Sequence, residues 1–123
     1  MKVMVFMKAT EATENAVPPT PEALRAMHDY NEALVAAGIL KDQILGGLLP
    51  TKFARRVRFS GKGRTVMDGP FTETKEVIAG FALWEVKSME EALEWVMKSP
   101  NTMQGECDVE IRPLYSPETW DPV

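Results

Sequence analysis

One predicted strand is apolar on both of its faces, and this constrains the fold more than any other feature. The segment Val77–Val86, VIAGFALWEV, is the most apolar strand in the chain. Because alternate strand residues point to opposite faces of a sheet, its odd and even positions form two separate apolar sets. These are Val77, Ala79, Phe81 and Leu83 on one face, and Ile78, Ala82, Trp84 and Val86 on the other. The predicted first strand, Lys2–Lys8, is also apolar on both faces.

Helices can cover only one side of such a sheet, so the other side needs a second partner. Burial of one large apolar side chain contributes roughly 1.5–3 kcal/mol, and large exposed apolar patches mark interaction surfaces. We therefore expect two copies to pack face to face as a symmetric homodimer, an α+β barrel with a cavity between the sheets. The alternative is that residues 9–20 or the C-terminal tail fold over the open face.

The first half of the chain is predicted to contain a strand, a helix and a second strand. Thr20 is a favourable N-cap, and Pro21 fits the first helical position, where its missing N–H costs nothing. Apolar residues then recur at helical spacing until Gly38, which marks the end of the helix. Residues 9–20 form a predicted loop, and Ile39–Pro50, which two glycines interrupt, is a predicted irregular strand.

The second half adds a hairpin, a helix and two long strands. Arg55–Phe59 and Arg64–Met67 flank the turn sequence SGKG, which predicts a β-hairpin. After the strand Val77–Val86, the capping residue Ser88 begins a second amphipathic helix, and Cys107–Leu114 is the last strand. The order βαββαβ predicts an α+β fold of the ferredoxin-like type, an antiparallel sheet with two helices on one face.

Length and composition exclude several classes of protein. The 123 residues suit a single domain, with a core over about residues 1–115 and an extended tail over 116–123. No apolar run approaches the roughly 20 residues of a membrane helix, and no signal-peptide core is complete, so we expect a cytoplasmic protein without membrane contact. One cysteine, Cys107, and one histidine, His28, give no disulfide and no Cys/His zinc site in one chain. We expect no metal and no cofactor.

The basic residues are concentrated in one segment. Residues 52–64 hold six Lys or Arg and no acid, while the rest of the chain holds eight basic and eighteen acidic residues. Arg56 and Arg58 share one hairpin face, where both guanidiniums could grip a carboxylate or a phosphate. Alternatively, the charges are solvated and prevent edge-to-edge aggregation. The net charge of −4 argues against binding to nucleic acid.

The most distinctive segment is Asp68–Glu76, DGPFTETKE. Gly69-Pro70 forms a turn that a strand cannot continue through, so Asp68 closes the strand before it. Asp68, Glu73 and Lys75 would then face the mouth of any cavity at this end of the sheet. Alternatively, Asp68 caps the turn and the other charged residues form a solvated loop.

This segment resembles the DGPF-x-ETKE signature of the DGPF-motif branch of the YCII-related family. The resemblance covers most of the chain through Val57-Arg58-Phe59, Ala79-Gly80-Phe81, Glu90-Glu91-Ala92 and Glu110-Ile111-Arg112-Pro113. It implies a ferredoxin-like protomer that dimerises as an α+β barrel. It also implies that some relatives are enzymes that act on small ring compounds with a His-Asp pair in the cleft. Other relatives are encoded beside sigma factors, which implies a regulatory setting.

A catalytic pair can be assigned to His28 and Asp68. Histidine titrates near neutral pH, so His28 would act as a general base, with Asp68 as its orienting partner. Alternatively, His28 is an uncharged surface residue. It directly follows Met27, one of the apolar residues that recur at helical spacing, and is therefore rotated away from the apolar face of the helix.

Two functions are compatible with these features. In the first, a cytoplasmic homodimer binds a small organic molecule, an anion included, near Arg56, Arg58, Asp68, Glu73 and Lys75, with acid–base chemistry. In the second, a non-catalytic accessory protein docks on another protein, such as a regulator, through the cationic hairpin and the motif loop. An enclosed apolar pocket with convergent polar groups would favour the first function, and a shallow charged surface the second.

Overall fold

The computed structural model describes residues 1–103 and 105–120, with the backbone but not the side chain of Lys75. The strands are β1 (Lys2–Lys8), β2 (Leu40–Gly47), β3 (Arg55–Ser60), β4 (Gly63–Asp68), β5 (Ile78–Glu85) and β6 (Val109–Pro113). The α-helices are α1 (Glu11–Glu14), α2 (Pro21–Ala36) and α3 (Met89–Met97), and 3-10 turns cover Thr51–Phe53 and Thr74–Glu76. The element order is the predicted one with α1 added.

Four strands form one antiparallel sheet in the order β2-β5-β1-β6. This is the strand order of a ferredoxin-like fold, so the predicted fold class is confirmed. The hairpin of β3 and β4 is inserted between β2 and β5 and forms a two-stranded sheet of its own. We call this hairpin, residues 55–68, the arm.

The two faces of the main sheet have different surroundings. Val5 pairs with Ala82 and Ile111 across the central strands, and on this face the core includes Leu34 of α2 and Ala92 of α3. The opposite face carries the alternate residues of the same strands. The apolar ones there are half-buried in one chain: Met4, Phe6, Phe81 and Leu83. The predicted separation into two apolar faces is therefore correct, and the helices cover one of them.

Side-chain caps fix the starts of both long helices. The Thr20 hydroxyl accepts a hydrogen bond from the Ala23 N–H at 3.1 Å, and the Ser88 hydroxyl accepts one from Glu91 at 3.2 Å. These caps satisfy N–H groups that have no partner within the first turn. At the other end of α2, Gly38 has φ +74°, a conformation that glycine adopts without strain.

Two local predictions were wrong. Residues 11–14, predicted to lie in a loop, form α1, which Thr10 and Thr13 cap through reciprocal hydrogen bonds. The C-terminal tail is not extended over residues 116–120, because a turn at 117–119 brings the Trp120 N–H to the Ser116 carbonyl at 2.7 Å. The rest of the predicted tail, 121–123, lies outside the described residues. In the described part of the chain, no helix has the length and apolar character needed to cross a bilayer.

Candidate functional site

A cavity of about 430 Å³ lies on the helix-covered face of the main sheet. Its deepest walls are core residues, including Val5 of β1, Leu34 of α2 and Trp84 of β5. The segment that follows α3, from Ser99 to Met103, contributes to its wall, and Cys107 adds a side chain before β6. The cavity is therefore a space between sheet and helices, and not a cleft at the end of the sheet.

Small residues form part of the cavity wall. Gly46, Gly47, Ala79 and Gly80 line the cavity where β2 pairs with β5. A Cβ atom added at Gly47 would meet nothing within 4 Å, whereas one at Gly80 would come within 2.8 Å of the Met7 Cε. Gly47 therefore leaves open space at the cavity, whereas Gly80 is needed for the close approach of Met7.

The polar groups in the cavity wall are uncharged. Tyr30 donates its hydroxyl hydrogen to the Trp95 carbonyl, and burial raises the pKa of Tyr30 to about 12, so the phenol stays neutral. Burial, followed by the charge of Asp108, raises the pKa of the Cys107 thiol, whose Sγ lies 3.4 Å from Asn101 Oδ1. Among the described residues, Trp84 Nε1 is a buried donor without a hydrogen-bond partner.

Every side chain that lines the cavity in the described structure is uncharged. A charged ligand would lose part of its hydration in this half-open cavity without gaining an opposite charge from the lining, which costs more than burying a neutral polar group. The cavity can therefore enclose an apolar body, with tyrosine, asparagine, serine and threonine groups available for hydrogen bonds.

The two predicted catalytic residues lie elsewhere. His28, on α2, is exposed, and its Nε2 lies 3.3 Å from the Glu32 Oε1. It borders a second hollow of about 440 Å³ on the outer side of α2 and β2, whose walls include exposed residues such as Val35. Asp68 ends β4, with its Oδ1 3.0 Å from the Arg55 Nε. His28 and Asp68 thus have different partners in one chain, and their catalytic roles stay predictions.

The predicted ligand-binding residues lie on the arm and in the motif loop. Arg56 and Arg58 share an arm face, and the Arg56 guanidinium lies 3.6 Å from the centre of the Phe71 ring. Glu73 is exposed, and the side chain of Lys75 lies outside the described structure. None of the described residues of this predicted set lines the cavity. Anion binding at the arm and the motif loop stays a prediction.

The DGPF segment anchors the arm. A Cβ atom at Gly69 would lie 1.7 Å from the Thr51 carbonyl oxygen, so only glycine fits against this backbone. The buried Thr51 hydroxyl accepts a hydrogen bond from the Phe71 N–H at 3.0 Å and donates one to Glu14. The Glu14 carboxylate also accepts the Thr51 N–H at 3.0 Å. The motif therefore joins the arm to the 3-10 turn and α1.

The sequence prediction missed the cavity and this anchor for different reasons. The cavity has no motif, and its one signal is the pair of small-residue stretches Gly46-Gly47 and Ala79-Gly80 on strands that pair. The anchor depends on Thr51 and Glu14, which lie far from the motif along the chain. In the described residues, no group of three or more His, Cys, Asp or Glu side chains could hold a metal ion.

Comparison with known proteins gives three findings. A model of the YCII-related domain matches residues 1–115. An uncharacterised protein of Rhizobium meliloti (strain 1021) is 42% identical over 67 residues, 54% of this chain and 54% of that protein, so the match spans about half of the relative. The structure is similar to a 5-chloro-2-hydroxyhydroquinone dehydrochlorinase from Burkholderia phenoliruptrix AC1100, in complex with 2,5-dihydroxybenzoquinone. The two structures have a TM-score of 0.50 and 20% sequence identity, and the match covers 96% of this chain and 98% of the other. This similarity shows that the two proteins share a fold.

Proposed function

The chain belongs to the YCII-related family, and on that premise we propose that it binds a small, uncharged organic molecule in the cavity between its sheet and its helices. The observation that carries this proposal is the cavity itself. Its volume of about 430 Å³ lies within the range of small-molecule sites, and such sites combine apolar walls with a few placed polar groups.

The lining determines the class of ligand. Apolar contacts with Met7, Leu34 and Trp84 favour a flat or compact hydrocarbon body, while Tyr30 and Asn31 offer hydrogen bonds at the α2 side. With no charged lining side chain among the described residues, an ionised ligand would be poorly solvated. The Burkholderia enzyme of the same fold holds a single-ring compound, which supports a ligand of that size here.

The accessory-protein alternative would be favoured by a shallow charged surface in place of an enclosed site. The apolar cavity supports small-molecule binding over that alternative. The acid–base roles of His28 and Asp68, the anion site at the arm, and localisation in the cytoplasm stay predictions from the sequence.

We also propose that two copies pair through the open face of the main sheet. Met4, Phe6, Phe81 and Leu83 are half-buried there, and the two long helices of the described chain pack on the opposite face. Phe6→Asp would place a charge at the centre of that face. We expect light scattering to give the mass of a dimer for the native chain and of a smaller species for Phe6→Asp.

Thermal melting tests the ligand proposal. The probes are uncharged single-ring phenols, quinones and lactones, with resorcinol first, and 2,5-dihydroxybenzoquinone, whose acidic hydroxyls make it anionic at neutral pH. A ligand at about one hundred times its Kd stabilises the folded state by about 2.7 kcal/mol. For a domain of this size, that raises Tm by about 10 °C. We expect this response from an uncharged probe and a smaller one from the anion.

A pair of variants localises the response to the cavity. Gly47→Leu places a side chain in the open space that Gly47 leaves, so it should fold and lose the Tm response. Lys41→Leu adds the same side chain on an exposed position of β2 outside the cavity, and should keep the response. The proposal is wrong if no uncharged probe raises Tm, or if Gly47→Leu responds as the native chain does.

A further inference from the structure

The arm carries an apolar stripe that the described residues of its own chain leave exposed. All residues of β3 and β4 are exposed, and the large apolar ones on one face, Val57, Phe59 and Val66, are exposed by 54%, 70% and 63%. Val57 pairs directly with Val66, and the Arg64 opposite Phe59 lies 4.1 Å from its ring centre. A two-stranded hairpin is marginally stable alone in water, so this stripe favours a partner.

The anchor, which consists of the contacts of Gly69 and Phe71 with Thr51, holds the arm in a defined orientation. Gly69 packs on the Thr51 backbone, and the Gly69 N–H donates to the Ala54 carbonyl at 3.0 Å, on the other side of the arm's base. This bond closes the base of the hairpin, and the packing of Gly69 on Thr51 ties that base to the body of the chain. A surface that is held in place before binding loses less conformational freedom on docking.

The outer face of α3 carries a matching stripe. Glu90, Leu93, Glu94 and Met97 follow the spacing i, i+3, i+4, i+7, which places them on one helix face. Leu93 and Met97 are exposed by 49% and 83%, and both carboxylates beside them are exposed. Because the arm stripe and the α3 stripe are both exposed in the same chain, neither covers the other.

We propose that the arm of one copy packs on the α3 stripe of a second copy. Phe59 and Val57 would cover Leu93 and Met97, and Arg64 would pair with Glu94 beside them. The charges agree with this arrangement, since residues 52–64 hold six cations and no acid, while the rest of the chain holds eight basic and eighteen acidic residues. Opposite charges across an interface fix the partner and raise the association rate.

A second copy is the partner that the structure favours, because every copy carries both surfaces. Two copies related by a two-fold axis can make the contact twice, which closes the assembly and leaves neither stripe exposed. The contact uses the arm and α3, so it is separate from the open face of the main sheet. Mass measurement shows whether it lies within one dimer or joins two dimers.

Charge reversal with rescue tests the contact. Arg64→Glu and Glu94→Arg would each place like charges together, and we expect each to weaken self-association about tenfold in sedimentation velocity over a concentration series. The double variant restores the opposite charges in exchanged positions, and should recover most of the affinity. Glu22→Arg on α2 makes the same charge change as Glu94→Arg away from the stripe, and should leave self-association unchanged.

Phe59→Ser provides a second route that does not depend on charge. Its side chain is exposed, so in dilute, dissociated protein the variant should fold and melt as the native chain does, yet associate about tenfold more weakly. The proposal is overturned if the native chain is monomeric at all concentrations, if the single reversals have no effect, or if the double variant associates no better than either single one. Binding of the arm to an unrelated protein with no effect on self-association would also overturn it.

Discussion

The body and the arm of this chain use apolar residues in opposite ways. In the body, Val3, Leu34 and Ala92 are at most 1% exposed, and the space left between sheet and helices is lined by uncharged residues. In the arm, no residue is buried, and cations alternate with exposed apolar side chains. The body is therefore stabilised by its own core, whereas the arm is held by its anchor.

This difference separates the sequence motif from the proposed ligand site. The DGPF segment is the most distinctive stretch of the sequence, and in the structure Gly69 and Phe71 hold the base of the arm against Thr51. The proposed ligand site is formed by common residues, chiefly larger apolar side chains with a few small and uncharged polar residues. A distinctive motif can thus mark a structural requirement, while a cavity can be lined by residues that form no motif.

The largest expected effect contrasts the two regions directly. Leu34→Ala removes a core side chain, which should lower the free energy of unfolding by about 4 kcal/mol through lost burial and an enlarged cavity. Phe59→Ala removes a larger side chain from the arm, where the ring is exposed, and should cost less than about 1 kcal/mol in dilute protein. Urea denaturation of both variants checks this. Equal losses would show that the arm packs within its own chain.

The next effect concerns the junction between the regions. Gly69→Ala forces a methyl group onto the Thr51 carbonyl, where a contact of 1.7 Å is impossible without a backbone shift. We expect a loss of about 3 kcal/mol in the free energy of unfolding. Gly47→Ala is the matched control, because its new methyl group meets open space, and it should be nearly neutral. If Gly69→Ala melts as the native chain does, the anchor does not contribute to stability.

Much of the fold could be predicted from local patterns. The period-two alternation of β1 and β5 and the caps at Thr20 and Ser88 specify the strands and both long helices. Their order then limits the topology to a ferredoxin-like sheet. Helix α1 was missed because its cap is a reciprocal pair of threonines, Thr10 and Thr13, in a segment too short and polar to show helical periodicity.

The candidate site could not be predicted in the same way. The cavity is lined by residues that lie far apart along the chain, and Gly47 and Gly80 come together only once β2 and β5 pair. Charged residues such as Arg58 and Asp68 attract notice in a sequence because of their chemistry, yet they lie on the arm. Their partners depend on tertiary contacts or on a second chain, and a single sequence specifies neither.

A smaller effect tests the hydrogen bonds of the anchor. Thr51→Val keeps the shape of the side chain but removes the hydroxyl that binds Phe71 and Glu14. The Phe71 N–H then loses its partner in a partly buried site, so we expect a loss of about 2 kcal/mol. Thr65→Val on β4 is the control, because Thr65 is exposed and a β-branched residue suits a strand. Similar losses for the two variants would contradict the anchor.

The smallest effect concerns Tyr30, at the wall of the cavity in the body. Burial raises the pKa of Tyr30 to about 12, above its ordinary value of 10.0, so folding favours the neutral phenol that donates to the Trp95 carbonyl. The contribution of this buried phenol to the free energy of unfolding is complete below pH 10 and is lost as the pH rises toward 12. Since the ring is only half-buried, solvent screening limits the change to about 1 kcal/mol. Urea denaturation at pH 9 and 11.5 should show this loss in the native chain and in Tyr115→Phe, whose ring is exposed, but not in Tyr30→Phe. The same pH dependence in Tyr30→Phe would assign the effect to other groups.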